Sequence, residues 1–479
     1  MSFSRPEVAA TGYVQTIDGE AVGSQASFHV VNPATGRPFA SCPDASRQEL
    51  ERAVQAARRA FPAWREQGAE RRRAALHAFA DAVEGELDAL AALLTTEQGK
   101  PLHRARDEIV RAAAQTRRLS SIALQTDEGV DSVGNPFRVQ YRPLGVVGAI
   151  TPWNMPVILG MSKIAHALYT GNTLVLKPSP YTPLTTLRLG QIGARHFPPG
   201  VLNVLAGGNA LGGWMTAHED IDKITFTGSA RTRKMVMAAA AATLKRVTLE
   251  LGGNDAAIVL ADVDPVAVAP KLFAAAFVNS GQVCMAIKRL YVQAPVFDAL
   301  CDELARLASQ ARVGDGFDPA VDLGPIQNAM QYDIVQQVLA EVRRDPQAVI
   351  RGGGQAVPAD GYFQAPLIVV NPGEHTRVVT EETFGPVLPV MKFEHLDEAL
   401  RKANDTRQGL SGSIWSADVA RAAQLAEQLE VGTAWVNHHV GSDACVPFGG
   451  VKESGLGREN ALLGLRHYME PHVVSVRAP

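Results

Sequence analysis

Between Arg47 and Leu94 apolar residues recur every three or four positions with charges between them, as in ELERAVQAARRAFPAW and RRRAALHAFADAVEGELDALAALL. That is the period of amphipathic helices. Pro62 is expected to interrupt the first helix, and the Gly99-Lys100-Pro101 turn to close the region. A further helix is predicted over 102–124. These helices hold no reactive constellation, and their charge runs read as solvated faces. In GVDSVGNPFRVQYRPLGVVGAI the pattern changes to short alternating apolar positions broken by glycine, asparagine and proline, which predicts a hairpin followed by a buried strand. Such an excursion could supply an edge for subunit pairing.

The middle of the chain alternates short apolar runs with helical stretches. PLGVVGAI, NTLVLKPS, GVLNVLAG, KITFTGS and RVTLELGG are strand candidates, separated by segments such as PVILGMSKIAHALYTG and PLTTLRLGQIGARHF. The alternation indicates a doubly wound parallel sheet, with ligands at the carboxyl ends of its strands. From about Ala256 to Val451 the pattern returns with AAIVL, RLYVQ, PLIVV and LPVMKF. Two α/β domains of similar size are therefore expected, without internal repeats or low-complexity segments.

Composition narrows the function classes. The chain has 479 residues, 46% of them apolar and 20% charged, with a net charge of −3, and its Lys and Arg are scattered, so no electrostatic case exists for nucleic acid or an acidic membrane. No apolar run approaches the roughly 18 residues of a membrane span, and the first twenty residues lack a signal-peptide core. Cys42, Cys284, Cys301 and Cys445 are far apart, with no metal-ligand spacing. A metal site is not expected, and so few cysteines in so long a chain point to a reducing cytoplasm. Cys42, Cys301 and Cys445 read as small buried hydrophobes.

Candidate chemistry gathers at Cys284, in the glycine- and amide-rich segment FVNSGQVCMA, and at Glu250 in LELGGNDAAIVL. A cysteine can act as nucleophile and a carboxylate can activate water, so the pair suggests covalent catalysis followed by hydrolysis. Asn154, held between prolines in TPWNMP, could donate its amide to an oxyanion or simply cap a turn. No GxGxxG follows a strand. After KITF comes Thr227-Gly228-Ser229-Ala230, which opens a helix and could present N–H groups to a phosphate or serve as a plain cap. Lys177, at the end of a strand, could bond ribose hydroxyls or a phosphate, unless it is merely solvated.

Taken together, TPWNMP, LVLKPS, FTGS, LELGGNDAAIV, NSGQVCMA, EETFGPV and PFGGVKESGLGRE occur in this order along the chain. The sequence resembles the aldehyde dehydrogenase superfamily over essentially its whole length. The resemblance implies two Rossmann-like α/β domains plus a small β oligomerisation region. Residues 1–121 and 143–251 would bind the cofactor and 252–452 would form the catalytic domain. The segments 122–142 and 453–479, including the tail HYMEPHVVSVRAP, would pair with neighbouring subunits in a homodimer or homotetramer. Cys284 would be the nucleophile, its oxyanion held by the Asn154 amide and the Cys284 N–H. Glu250 would be the general base, and Lys163 and Glu459 would support proton movement. Ile150, Thr151, Trp153, Lys177, Gly208, Ser229, Leu251, Glu382 and Phe384 fall on cofactor-contacting positions. Relatives that pass the acyl group to coenzyme A lack a carboxylate at the place of Glu250, so hydrolysis to the acid is expected over CoA acylation. A non-catalytic protein on the same fold would not need to keep Cys284, Glu250, Asn154, Lys177 and Glu382 together.

Two departures bear on the cofactor. Pro180 stands where many members of the family carry a ribose-binding glutamate, and GSARTR, with Arg231 and Arg233, replaces the usual GSTxxG turn. The arginines could meet a 2′-phosphate or face solvent. NAD is the expected cofactor, with some tolerance for NADP. On the substrate side, Met155 and Ser162 stand where many relatives have bulky aromatics, Val283 and Met285 flank the nucleophile, and His438, His439 and Asp443 lie in a loop expected at the tunnel mouth. No aromatic cluster suggests a cage for a quaternary ammonium. A medium-sized aliphatic or aromatic aldehyde is the expected substrate.

Overall fold

The computed structural model describes residues 8–228, 230–354, 356–441 and 443–477. Five apolar runs become the parallel strands Val146–Ile150, Thr173–Lys177, Leu202–Val204, Lys223–Gly228 and Arg246–Leu251. Counted along the chain they lie in the order 3-2-1-4-5. Helices cover these strands, which explains why their sequences are almost continuously apolar. The order reverses beside Val146–Ile150, and the loop that follows this strand carries Thr151, Trp153 and Asn154, at the switch point where doubly wound sheets bind ligands. Antiparallel strands finish both edges. Gln15–Ile17 and Glu20–Val22 join beyond Leu202–Val204, through an Asp18-Gly19 turn with φ of 55° and 79°, the left-handed pair of a tight hairpin. At the other edge Gly455–Leu456 pairs with Leu249 and Glu250.

Residues 252–255 cross directly to Ala256–Val259, a strand of the second sheet. That sheet has seven strands, parallel except for Val349–Gly352. A third, three-stranded sheet holds Asp127–Val130, Pro136–Pro143 and Met469–Ser475. The tail strand, expected to reach a neighbouring subunit, here pairs over seven residues with Pro136–Pro143 of its own chain. Among the described residues no helix is long and apolar enough to cross a membrane.

The helical region differs from the sequence expectation in four respects. Helix Arg47–Glu66 runs through Pro62. The ring lies on the exposed face, while Trp64 just beyond it is buried and donates to Leu168 O at 3.1 Å. Proline in a helix interior costs about 3 kcal/mol, and burying an indole at about 25 cal/mol per Å² returns roughly 4 kcal/mol, so packing prevails. The next helix is split at Glu86 into Gly68–Gly85 and Leu87–Gln98. The fourth, Leu102–Ser120, stops short of Leu124.

The charged positions are also not all solvated. Glu97 is buried and accepts from Leu184 N at 2.8 Å and Thr185 N at 3.0 Å, at the start of helix Leu184–Gly193. Burial pushes its carboxyl up to about 7, against the Thr185 bonds. Glu108 is likewise buried and accepts from Val157 N at 2.9 Å and Ile158 N at 3.1 Å, at the start of helix Pro156–Tyr169. Each carboxylate satisfies N–H groups that a helix start leaves without partners. Lys100 forms a buried ion pair with Glu108 and donates to Asn154 O at 3.0 Å.

Removing one member of such a pair leaves an uncompensated buried charge. Glu108→Gln should therefore destabilise the fold by about 3 kcal/mol or more, read as a lower melting temperature. The double exchange Lys100→Met with Glu108→Gln should recover part of that loss, because the amide oxygen can still accept from Val157 N and Ile158 N. An unchanged melting temperature in Glu108→Gln would show that the pair contributes nothing.

Candidate active site

Helix Pro265–Phe277 ends in a tight turn, Val278–Gly281, in which Asn279, Ser280 and Gly281 all have positive φ. The turn delivers Cys284 ahead of strand Arg289–Gln293. The carboxyl ends of the first sheet approach from the other side, bringing Glu250 and the Asn154 loop. Cys284, Asn154, Glu250 and Glu459 line one cavity of about 330 Å³. The Asn154 amide donates to Gln282 O at 2.8 Å, which uses one of its two N–H donors and ties the turn to the loop that carries Cys284.

Burial pushes the Cys284 thiol up to about 12; Lys288 opposes this, and Glu382, Asp255 and Glu250 reinforce it. These surroundings favour the thiol over the thiolate. Burial, and next the nearby Glu459, hold the Glu250 carboxyl well above the usual carboxylate range, against Lys163 and Arg458. Burial also acts on Glu459, but its ion pair with Lys163 and the nearby His166 outweigh it, and Glu459 stays below its ordinary value. The surroundings therefore push two neighbouring buried carboxyls in opposite directions, Glu250 up and Glu459 down. Glu250 Oε1 has no hydrogen-bond partner among the described residues.

The expected cofactor residues surround the switch point. Ile150 and Lys177 are paired in register, and Thr151 N donates to Lys177 O at 3.0 Å. Lys177 is buried, which brings its ammonium down to about 8, with Asp44 opposing. Gly208 N donates to Asp44 Oδ1 at 3.4 Å. Leu251 ends its strand and donates its N–H to Ser454 O at 3.0 Å. Trp153 meets Phe384 edge-on at 5.3 Å, and Phe384 sits at a φ of 50°, uncommon for an aromatic residue. Glu382 accepts from Gly253 N at 3.3 Å. Ser229 and the side chains of Arg231 and Arg233 lie outside the described residues. Thr151 Oγ1 is buried with no partner among the described residues. An orphaned hydroxyl, a buried lysine and a carboxylate at the carboxyl ends of parallel strands suit a dinucleotide with ribose hydroxyls.

Other expectations need correction. His439 does not line the tunnel. It is buried against Trp435 at 4.8 Å and within 2.8 Å of Ser413 Oγ, and burial and then Lys288 bring its imidazole down to about 3. His438 lines a separate cavity with Trp435. Asp443 does line the tunnel and pairs with Arg118 at 3.0 Å. Helix Leu102–Ser120, expected to be inert, contributes Arg111, Gln115 and Arg118 to the tunnel wall. Their spacing of four and three was the available signal, since it places them on one helix face. Cys42 and Cys301 are buried as expected, but Cys445 is exposed, in a turn where its N–H donates to Asp443 Oδ1 at 2.8 Å.

Two glycines have their roles explained here. A methyl group on Gly449, whose φ is 154°, would lie 2.6 Å from Glu250 Oε1, and one on Gly252 would collide with the Glu382 carboxylate. Their missing side chains are the room that the two carboxylates occupy.

The family model described as "Aldehyde dehydrogenase family" matches residues 21–474. A phenylacetaldehyde dehydrogenase of Pseudomonas fluorescens is 37% identical over 471 residues, covering 94% of this chain and 93% of the relative. A glutarate-semialdehyde dehydrogenase of Pseudomonas aeruginosa is 37% identical over 449 residues, 93% of each. Among solved structures, that of an aldehyde dehydrogenase from Bacillus cereus in complex with NAD+ superposes with a TM-score of 0.95 at 32% identity, covering 98% of this chain and 97% of that one.

Gly449→Ala should displace the Glu250 carboxylate and lower turnover at least about 10-fold, while iodoacetamide labels Cys284 at the parent's rate. Parental turnover in this variant would remove Glu250 from the chemistry.

Proposed function

The chain belongs to the aldehyde dehydrogenase family, enzymes that oxidise aldehydes, and on that footing we propose that it converts an aldehyde to the carboxylic acid with NAD, through a thioester on Cys284 that water hydrolyses. The observation that carries this reading is the placing of Cys284, Asn154 and Glu250 around one cavity. The Cys284 thiolate adds to the carbonyl carbon, and the carbonyl electron pair moves to oxygen, where the Asn154 amide and the Cys284 N–H receive it. The bound nicotinamide supplies a hydride acceptor. When hydride leaves with its electron pair the carbonyl re-forms as a thioester. Glu250 then takes a proton from water, the resulting hydroxide attacks, the C–S bond breaks and the thiolate is regenerated.

Lys177, Glu382 and Gly208 would hold the adenine and nicotinamide riboses and the phosphates, with Ile150, Thr151, Trp153, Leu251, Phe384 and Ser229 around them. Residues 1–121 and 143–251 thereby act as the cofactor domain and 252–452 as the catalytic domain. A carboxylate at Glu250 supports hydrolysis over transfer to coenzyme A, and Pro180 supports some tolerance for NADP beside NAD. Lys163 keeps Glu459 charged, and together they offer a proton route behind Glu250. Met155, Ile158, Leu159, Val283, Met285 and Phe448 give the tunnel apolar walls, which suit a medium-sized aliphatic or aromatic aldehyde. The exposed Val130, Val473, Val474 and Val476 suit pairing of the small sheet with a second copy, in a dimer or tetramer. A free thiol nucleophile suits a reducing cytoplasm.

An aldehyde panel should give NADH absorbance with NAD, a lower kcat/KM with NADP, and none with Cys284→Ala. A strong NADP preference, or acyl-CoA as the main product, would overturn the corresponding part of the reading. The acid limb is a second test. Glu250 must lose its proton to act, so acyl-enzyme hydrolysis should rise with pH through its raised value. Glu459→Gln removes a like charge and leaves Lys163 facing Glu250, and should move that limb to lower pH by about one unit or more. An unmoved limb would disconnect Glu459 from the base.

A further inference from the structure

Four residues after Cys284, Lys288 is only 7% exposed. Its ammonium donates to Val283 O at 2.9 Å, to Cys284 O, and to Ala286 O at 3.4 Å. It also lies 3.2 Å from Glu382 Oε1. Its backbone N–H, together with that of Arg289, donates to Asp255 O at 3.0 Å. An ammonium has three donors and no acceptor, and here they are shared between the carbonyls of one loop and a carboxylate from another. Glu382 in turn accepts from Gly253 N, in the segment that follows Glu250. The Lys288 side chain therefore joins the Cys284 loop to the EETF loop, while its backbone N–H reaches the crossing between the two sheets.

Space-filling alone does not explain a lysine here, because an apolar side chain would fill the same volume without the cost of desolvating a charge. The groups that face it account for the charge. The half-buried Glu382 and the buried Asp255 are acids on which Lys288 acts, with Asp255 also accepting from Ser411 Oγ. Cys284 lies on the loop it clamps, and the neutral His439 lies beyond. Glu250 acts on the same thiol from the first sheet. The acids all oppose a thiolate, and Lys288 is the cation set against them.

We propose that Lys288 is a positioning residue that locks the nucleophile loop to Glu382 and supplies the fixed positive charge on which ionisation of Cys284 depends. The proton released from sulfur passes to water in the cavity, and no other bond changes in this step. The inference rests on Cys284 being the nucleophile, as proposed above.

The test compares Lys288→Met and Lys288→Arg with the parent. The rate of iodoacetamide labelling at Cys284 is measured from about pH 6 to 10 without turnover, beside melting temperature and NAD binding. The Met variant should label about 10-fold more slowly near neutral pH, with its profile displaced to higher pH, and bind NAD more weakly because Glu382 is released. The Arg variant should recover most of both. A folded Met variant with the parent's labelling profile overturns the proposal, and so does slow labelling that arginine fails to restore. Should the Met variant not fold, Lys288→Gln keeps an amide donor for the loop carbonyls without the charge: slow labelling displaced to higher pH then supports the proposal, and the parent's profile overturns it. Failure of the underlying reading is seen separately, as aldehyde-dependent NADH formation that survives Cys284→Ala.

Discussion

A buried ion pair away from the reacting atoms sets the geometry of the site. Glu108 closes the start of helix Pro156–Tyr169, and Lys100 neutralises it while holding Asn154 O. The amide that faces the cavity is thus fixed from behind, through its own backbone, before any ligand arrives. Desolvating two charges is costly, but an apolar pair of similar volume would orphan the Val157 and Ile158 N–H groups. What the ionic version adds is direction: a carboxylate aligned on two N–H groups and an ammonium aligned on one carbonyl. Asn279 bonds to the same Asn154 carbonyl at 3.0 Å, so the nucleophile loop is referred to the same point.

The second organising constraint is electrostatic. Glu250, Glu459 and Cys284 bring three acidic groups to one cavity, and Lys163 and Lys288 are the buried cations set beside them. Each cation is buried beside a different acid, so the charges are separated in role as well as in space. This is the arrangement expected where one carboxyl must be able to take up a proton and the other must not.

The strands were legible because each is a short apolar run, and burial on both faces leaves little else to write there. Cys284 and Glu250 stood out because nucleophilic attack and water activation use those residue types, and the fold brings both to one cavity. The helical layer was less legible. A glutamate or arginine on an amphipathic helix looks solvated, and only the opposing surface shows that Glu97 and Glu108 meet helix starts or that Arg118 meets Asp443. Lys288 was invisible for the same reason, since a lone lysine defaults to solvent. The N-terminal hairpin carried its own sign in Asp18-Gly19, but three-residue strands barely show a period. Pro62 misled because a local rule was outweighed by the burial of Trp64 two residues later.

Glu459 and Lys163 are 296 residues apart, as are Tyr468 and Asn172, which are joined by a hydrogen bond. Between the members of each pair lies the whole of the second sheet. A nascent chain can lay down all five parallel strands of the first sheet and still lack its edge strand Gly455–Leu456, the partner of Lys163 and the strand that covers Pro136–Pro143. Contacts of such sequence separation form late and slowly. Until residues 449–475 have been made, Glu250 lies beside an open sheet edge with no neighbour to raise its carboxyl. The charge pattern around Glu250 is therefore completed only when residues 449–475 are in place.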